Sequence, residues 1–192
     1  AAHLSVISQT NIPNSVSQRH SLTQGVGIEE VISTEQSYPV QATAGQYVRL
    51  LVDSRGSAFK ARIATPSGEN VFDAQLPSLS QDPTRLSFIA QLSGLYSIVL
   101  TPVKNDGTPR RLVIRLEELR NAVAGDEDRV QAETLTAQAA SLVATGGAES
   151  LRKAVDKYRE ALALWQKLGQ EIEVARTLLN LGSVSHNLSR PA

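Results

Sequence analysis

The feature that most constrains this 192-residue chain is the position of its prolines. Seven of the eight prolines lie in residues 1–119, and none occurs between Pro109 and Pro191. Six of the eight aromatic residues also lie in residues 1–119, whereas residues 120–192 hold 13 alanines against nine in the longer first part. Because proline breaks helices and alanine favours them, the pattern predicts an α+β chain, with strands first and helices second.

Short segments of alternating apolar and polar residues recur after Gly27. Phe59, Ala61 and Ile63 alternate with Lys60 and Arg62, as expected of a strand with one buried side. The same period of two recurs in residues 47–52, 86–90, 96–100 and 111–116, with glycine-containing turn signals between the segments. Seven or eight short strands at this spacing predict an antiparallel, jelly-roll-like β-sandwich over residues 25–120.

Three helices are predicted in residues 126–192. The acidic cluster Asp126–Asp128 fits an N-cap and first turn, and Gly146-Gly147 fits the end of that helix. The second helix carries one continuous apolar stripe, in which Tyr158 and Trp165 are interpreted as core residues rather than as a ligand-stacking surface. The third helix, with Ile172, Ala175, Leu178, Leu179, Leu181 and Leu188, is apolar on more than one side. We therefore expect it to need a second neighbour, supplied by further repeats or by self-association.

Composition excludes several classes of protein. Lys and Arg balance Asp and Glu at 19 each, which argues against a nucleic-acid-binding protein. The absence of cysteine excludes disulfides, thiolate metal sites and cysteine catalysis within this chain. No apolar run approaches the length of a membrane span. The polar residues 1–24 predict a flexible leader, and the start at Ala1-Ala2 is compatible with signal-peptide removal, which favours an extracytoplasmic location.

No cofactor, metal or catalytic site is predicted. The three histidines, His3, His20 and His186, lack the spacing of metal ligands, and no nucleophile, base and acid set emerges. Asp53 and Asp106 lie in predicted turns, where they are candidate calcium contacts or, more commonly, turn-forming residues. A carbohydrate- or calcium-binding sandwich of a secreted protein is accordingly the alternative functional hypothesis.

The helical part resembles a tetratricopeptide repeat (TPR). In the predicted second helix, a small, an aromatic and a small residue have the spacing that is typical of the second helix of a TPR. In the predicted third helix, two leucines and a glycine resemble the start of the following repeat. These positions are Ala154, Tyr158, Ala161, Leu178, Leu181 and Gly182. Ser185 departs from the family, which usually has tyrosine there, and the proline that commonly ends a repeat is missing. The resemblance implies about one and a half repeats in residues 126–192.

The order of segments resembles a narrower group, the bacterial TPR proteins with a CHAT domain. The segments are "AGQYVRLLVDSRG", "SFIAQLSGLYSIVL", "RLVIRLEELRNA" and "ESLRKAVDKYREALALWQKLG", within about Gly27 to Leu188. The resemblance implies a sandwich similar to pre-peptidase C-terminal domains, followed by repeats. It also implies a caspase-like cysteine-protease domain outside this chain, so that the present chain is a non-catalytic piece of a larger protein.

These inferences favour a protein-interaction or scaffolding module. TPR proteins usually bind peptides on the surface formed by first helices, and carrying this over by position gives Arg176, Leu179, Ser183 and His186 as candidate partner-binding residues. A solvated helix face combined with packing between repeats is the competing interpretation. The expected partner is a protein or peptide, or further repeats of the same chain.

Overall fold

The computed structural model describes residues 21–76, 83–104 and 106–189, and within them it contains eight strands followed by three helices. The strands are β1 (Gly27–Ile32), β2 (Gln36–Ala42), β3 (Gln46–Asp53), β4 (Phe59–Ala64), β5 (Asn70–Leu76), β6 (Thr84–Ile89), β7 (Gly94–Pro102) and β8 (Arg110–Asn121). The helices are α1 (Asp126–Thr145), α2 (Ala148–Lys167) and α3 (Glu171–Ser189). The predicted α+β class, with strands before helices, is confirmed.

The strands form two four-stranded antiparallel sheets. The first sheet has the order β1-β8-β3-β6 and the second has the order β2-β7-β4-β5. The pairs β1·β8, β2·β7, β3·β6 and β4·β5 are those of one long hairpin rolled up into two layers. This is the strand arrangement of a jelly roll, so the predicted antiparallel sandwich is confirmed.

The core of the sandwich is built from the alternating positions that the sequence marks. Phe59, Ala61 and Ile63 are fully buried, whereas Lys60 and Arg62 between them are exposed. The other strands contribute inward rows of the same kind: Val48, Leu50, Val52, Leu86, Phe88, Ala90, Tyr96, Ile98, Leu100, Leu112, Ile114 and Leu116. Burial of two such rows against each other is the main stabilising contribution to this half of the chain.

One turn shows why glycine is required. Gly94 begins β7 with φ 146°, a backbone conformation that side chains rarely adopt. A Cβ atom at Gly94 would also lie 2.8 Å from Cγ of Pro66, well inside van der Waals contact. Glycine at this position therefore allows the loop before β7 to lie close to the loop after β4.

Most of the predicted leader, residues 1–20, lies outside the described residues. Leu22 is buried in the sandwich core, and its N–H donates to the carbonyl of Pro39 at 2.9 Å. The N–H of Gly25 donates to the carbonyl of Leu116 at 2.9 Å. The chain from residue 22 onward therefore lies along the sandwich before β1 begins.

The helices follow β8 directly. Helix α1 contacts strands β5 and β6 on one side and α2 on another, and α2 in turn contacts α3. Gly146 is the C-cap of α1, as predicted, and its N–H donates to the carbonyls of Leu142 and Val143. None of the helices within the described ranges is both long enough and apolar enough to cross a bilayer.

Candidate interaction surface

Helix α2 is the middle member of the helical stack. Its predicted stripe is buried: Ala154 and Ala161 are fully buried, and Tyr158 and Trp165 are 4% and 2% exposed. Burial raises the pKa of the Tyr158 hydroxyl to about 12. The interpretation of Tyr158 and Trp165 as core residues is confirmed, and neither ring is accessible to a ligand.

Helix α3 packs on α2 through one line of residues spaced by three and four. Thr177 and Val184 are buried, and Val174, Leu181 and Leu188 are partly buried against residues of α2. The Thr177 hydroxyl is satisfied within the helix, because it donates to the carbonyl of Glu173 at 2.7 Å. This line accounts for one side of α3.

Of the three TPR-like positions on α3, Leu181 is partly buried against α2, whereas Leu178 and Gly182 are exposed. Leu178 is 51% exposed, and Gly182 is exposed, with no atom within 4 Å of the position a Cβ would occupy. In the family that the sequence resembles, such a glycine allows a second helix to approach. Within the described residues, that side of α3 faces open space.

The four candidate partner-binding residues lie on α3, and three of them are exposed. Leu179 is 75% exposed, and Ser183 and His186 follow it at helical spacing on the same side. Arg176 is half-buried, and its Nη1 lies 3.0 Å from both carboxylate oxygens of Glu173. The structure thus brings Leu179, Ser183 and His186 together, whereas Arg176 is held in an ion pair one turn before them.

Exposed apolar area on α3 extends beyond those four residues. Ile172 is 75% exposed, equal to Leu179, and Leu178 adds a third large apolar side chain. The sequence had shown these residues as apolar on more than one side of the helix. Clustered exposed apolar side chains on one element are typical of an interaction surface.

Polar residues attach α1 to the sandwich at its open edge. Strands β5 and β6 are the last strands of their sheets, and α1 lies against both. Oγ of Ser141 accepts a hydrogen bond from the N–H of Gln75 at 2.8 Å and donates to its carbonyl at 3.3 Å. Ala137, one turn earlier, belongs to the sandwich core. The first helix therefore closes one edge of the sandwich.

A buried carboxylate lies at the same junction. Glu133 of α1 is 8% exposed, and its Oε1 lies 3.6 Å from Nη2 of Arg49 on β3. Burial raises the pKa of the Glu133 carboxyl, although the Ser87 hydroxyl and the charges of Arg49 and Arg129 act in the opposite direction. The charge of Glu173 on α3 also raises the pKa of Glu133. The geometry resembles a structural ion pair, since Arg49 also lies within ion-pair distance of two carboxylates of β8.

The predicted N-cap of α1 is corrected by the structure. Gly125, with φ 90°, occupies the N-cap position, and no side chain caps the helix. The carboxylate of Asp126 instead accepts hydrogen bonds from the guanidinium of Arg120 at 2.6 and 2.9 Å and from the N–H of Val123 at 2.7 Å. The Arg120 hydrogen bonds lower the pKa of Asp126, and the same guanidinium lies 4.5 Å above the ring of Tyr47. Asp126 thus connects the start of α1 to the end of β8.

An open groove of about 690 Å³ runs between the end of the sandwich and the helices. Its walls include Ala90, Val123 and Gly125, together with the charged residues Asp128 and Lys167. Lys167 Nζ lies 2.7 Å from Asp128 Oδ2, so these two charges neutralise each other. The lining contains no arrangement of nucleophile and base that indicates catalysis.

The two calcium candidates are engaged by their own turns. Oδ1 of Asp53 accepts the N–H of Arg55 at 3.0 Å, and Oδ1 of Asp106 accepts the N–H of Thr108 at 3.0 Å. Arg110 also donates to both oxygens of Asp106, and the hydrogen bonds from Thr108 and Arg110 lower the pKa of that carboxyl. Within the described residues, no three His, Cys, Asp or Glu side chains converge as metal ligands would.

Comparisons with known proteins give structural likenesses only. No family model matches the chain, and no curated protein matches it. The chain is similar to the pre-peptidase C-terminal domain of a collagenase from Bacillus anthracis, at 12% identity and TM-score 0.41, over 51% of this chain and 93% of that chain. It is similar to PliG of Aeromonas hydrophila, a periplasmic inhibitor of g-type lysozyme, at 13% identity and TM-score 0.34, over 48% and 85%. A family 35 carbohydrate binding module from an environmental isolate gives 19% identity and TM-score 0.32, over 47% and 71%. The β-sandwich itself is established by its strand pairing.

Proposed function

We propose that this chain is a non-catalytic protein-interaction module, in which the jelly roll holds a short helical stack that presents α3 to a partner. The observation that carries the proposal is the exposure of Ile172 and Leu179, each 75%, on a helix whose other side is packed. Apolar side chains left in water on an ordered helix favour a protein or peptide partner, which would bury them.

The burial of the aromatic residues supports a protein partner over a sugar. The chain has eight aromatic side chains, and all of them are buried. A ligand that stacks on an exposed ring therefore has no such platform on this chain. The calcium-binding alternative predicts a rise in Tm with added calcium, which is measurable on the same preparation.

The TPR and CHAT relationships belong to the same proposal. The buried Ala154–Tyr158–Ala161 line and the stacking of each helix on the next support TPR-type packing. The order of a sandwich followed by helices supports a place before the repeats of a larger CHAT-type protein. Any cysteine-protease chemistry would then lie outside this chain, which has no cysteine.

Selection of peptides from a displayed random library tests the function. We expect the selected peptides to bind the chain. They should lose most of their affinity for the Leu179→Asp variant, because this change places a charge among the exposed apolar side chains of α3. Leu92→Asp is the matched control, because Leu92 is a 46% exposed leucine in the sandwich. Selection that yields no peptide, or peptides that bind the Leu179 variant as well as the parent, would remove the proposal.

A further inference from the structure

The two sheets end in four edge strands, which are not equally covered. Strands β5 and β6 contact helix α1. On β2, the carbonyl of Pro39 accepts a hydrogen bond from the N–H of Leu22, and proline has no N–H to offer to a further strand. Strand β1 pairs with β8 on one side, and within the described residues neither a strand nor a helix packs on its other side. Such an edge keeps backbone N–H and C=O groups available for pairing with another chain.

The side chains of β1 alternate between the two faces of its sheet. Ile28 and Ile32 face the sandwich core, whereas Gly27, Glu29 and Val31 are exposed on the outer face. Val31 is 65% exposed, although it is a β-branched apolar residue of the kind that packs well against a neighbouring strand. A strand added beside β1 would place alternate side chains of its own next to the three exposed residues.

Arg115 of β8 reaches over the edge strand at Gly27. Its Nε and Nη2 atoms lie 3.5 and 3.7 Å from the position that a Cβ of Gly27 would occupy. Gly27 pairs with Arg115 in the register of the two strands, and its lack of a side chain leaves the guanidinium uncovered on the edge side. Arg115 is exposed, and no described carboxylate lies within ion-pair distance of it. A positive charge is therefore presented at this end of the edge.

The next outward position on β1 carries the opposite charge. The carboxylate of Glu29 accepts a hydrogen bond from Nε of Arg111, and the Glu29 side chain is still 47% exposed. Val31 follows as the apolar position. The outer face of the edge thus changes from positive at Gly27, through acidic at Glu29, to apolar at Val31.

We propose that β1 binds an extended segment of a partner protein as an added strand, with an acidic residue beside Gly27, a basic residue beside Glu29 and an apolar residue beside Val31. The acidic residue pairs with Arg115, and the backbone groups of the two strands form the hydrogen bonds. This inference goes beyond the proposed function, because it uses the sandwich and not α3. A second copy of the chain fits poorly, since full antiparallel pairing of two β1 strands brings Glu29 and Glu30 of each copy against those of the other.

A synthetic peptide with blocked ends, Thr-Val-Thr-Lys-Thr-Glu-Thr, is the probe. Paired antiparallel with β1, it places valine beside Val31, lysine beside Glu29 and glutamate beside Gly27, and its threonines favour an extended chain. The peptide Thr-Val-Thr-Glu-Thr-Lys-Thr is the matched control, because it has the same composition with the two charges exchanged. Each peptide is titrated into the isotope-labelled full chain, and the amide chemical shifts measured by NMR report both the site and the affinity.

We expect saturable binding of the first peptide, with shifts at β1 and β8 and slower hydrogen exchange at alternate amides of β1. The charge-exchanged peptide should bind about fivefold more weakly or worse, because like charges then meet at Glu29 and at Arg115. Arg115→Gln should weaken binding of the first peptide by about fivefold. Arg62→Gln is the control variant, because Arg62 is an exposed arginine of the other sheet without an ion pair in the described residues, and it should change the affinity by less than about twofold.

Equal affinity for the two peptides overturns the inference, as does an affinity for the first peptide that Arg115→Gln leaves unchanged. Absence of saturable binding up to about 5 mM peptide also overturns it, and so do shifts that map to α3 rather than to β1. A dimer of the chain that Val31→Lys dissociates would place a second copy on the edge and would likewise overturn it. The amide spectrum of each variant shows whether the fold is kept. Failure of this test leaves the library selection on α3 unaffected, because the two experiments probe different surfaces.

Discussion

The hydroxyl of Ser141 bonds helix α1 to strand β5, so its removal tests how much this attachment contributes to stability. Ser141→Ala deletes an oxygen that accepts from the N–H of Gln75 at 2.8 Å and donates to its carbonyl at 3.3 Å. Gln75 lies in β5, the last strand of its sheet, where no further strand replaces these hydrogen bonds. The substitution leaves the helix backbone and the sandwich core unchanged.

The expected loss follows from the two hydrogen bonds. Each contributes about 1 kcal/mol, and alanine returns about 0.5 kcal/mol through its higher helix propensity. We therefore expect the free energy of unfolding to fall by about 1–2 kcal/mol, and Tm to fall by about 2–4 °C for each kcal/mol lost. Hydrogen exchange at the Gln75 amide should accelerate more than exchange in β4, because its acceptor is gone.

Urea unfolding and hydrogen exchange give the measurement, and Thr145→Ala gives the control. Thr145 lies on the same helix and is exposed, and its hydroxyl donates only to the carbonyl of Ser141 at 3.0 Å. Its loss should change stability by less than about 0.5 kcal/mol. If Ser141→Ala is as stable as the control and Gln75 exchanges at the parent rate, the two Ser141 hydrogen bonds do not stabilise the attachment of α1 to the sandwich.

Four further changes test other contacts. Burial raises the pKa of Glu133 in the folded chain above its value of about 4.3 in the unfolded chain. The Glu133 carboxyl therefore destabilises the fold increasingly as the pH rises from the unfolded pKa through the folded pKa. Glu133→Gln should become more stable relative to the parent over that pH range, as measured by urea unfolding at stepped pH. Asp126→Asn weakens the charged hydrogen bonds from Arg120 and should cost about 1.5–3 kcal/mol at pH 7, with a smaller cost in acid, where the parent carboxylate is itself protonated. Trp165→Ala should cost about 3–5 kcal/mol, measured by circular dichroism, because the ring is 2% exposed. Gly182→Ala should stabilise the chain by about 1 kcal/mol, since its Cβ meets no atom in the helix surroundings; a lower Tm would contradict the exposed placement.

The sandwich was largely predictable because its residues obey a period of two. Each strand needs only one apolar row, and the rows through Phe59, Leu86 and Leu112 stand out from their polar neighbours. Strand β2 is harder to recognise, because Pro39 interrupts it; proline is tolerated there since β2 is an edge strand. The order of strands within each sheet depends on long-range pairing, which local periodicity does not encode.

The contact between the sandwich and α1 was not predictable, because polar residues make it. Ser141 and Glu133 have the composition of a solvated helix face, yet one bonds to β5 and the other is buried beside Arg49. The period of two in residues 47–52 places Tyr47 on the side of β3 opposite to the core row. It is nevertheless fully buried on that side, where Arg120 of β8 lies over its ring. Whether such residues are buried or exposed depends on tertiary packing rather than on the local pattern.

On α3, the sequence identified the residues but could not separate their roles. Leu178, Leu179 and Leu181 are chemically alike and almost adjacent, but only Leu181 packs against the α2 cluster. Helical spacing places them on different sides, and the position of α2 decides which side is buried.

The attachment of α1 to β5 also makes the two ends of the helical stack different, because α1 lies against the sandwich and α3 does not. The side of α3 that packs on α2 carries Val174, Leu181 and Val184. The corresponding side of α1 is polar: Gln131 and Gln138 are exposed, and Ser141 bonds to the edge strand β5. In the described part of the chain, this side of α1 therefore has no apolar line like that of α3, and the jelly roll lies at this end of the helical stack. Among the described residues, the large exposed apolar side chains of the helices all lie on α3, at the end of the stack away from the jelly roll. Any further helix that buries them would therefore extend the stack away from the sandwich.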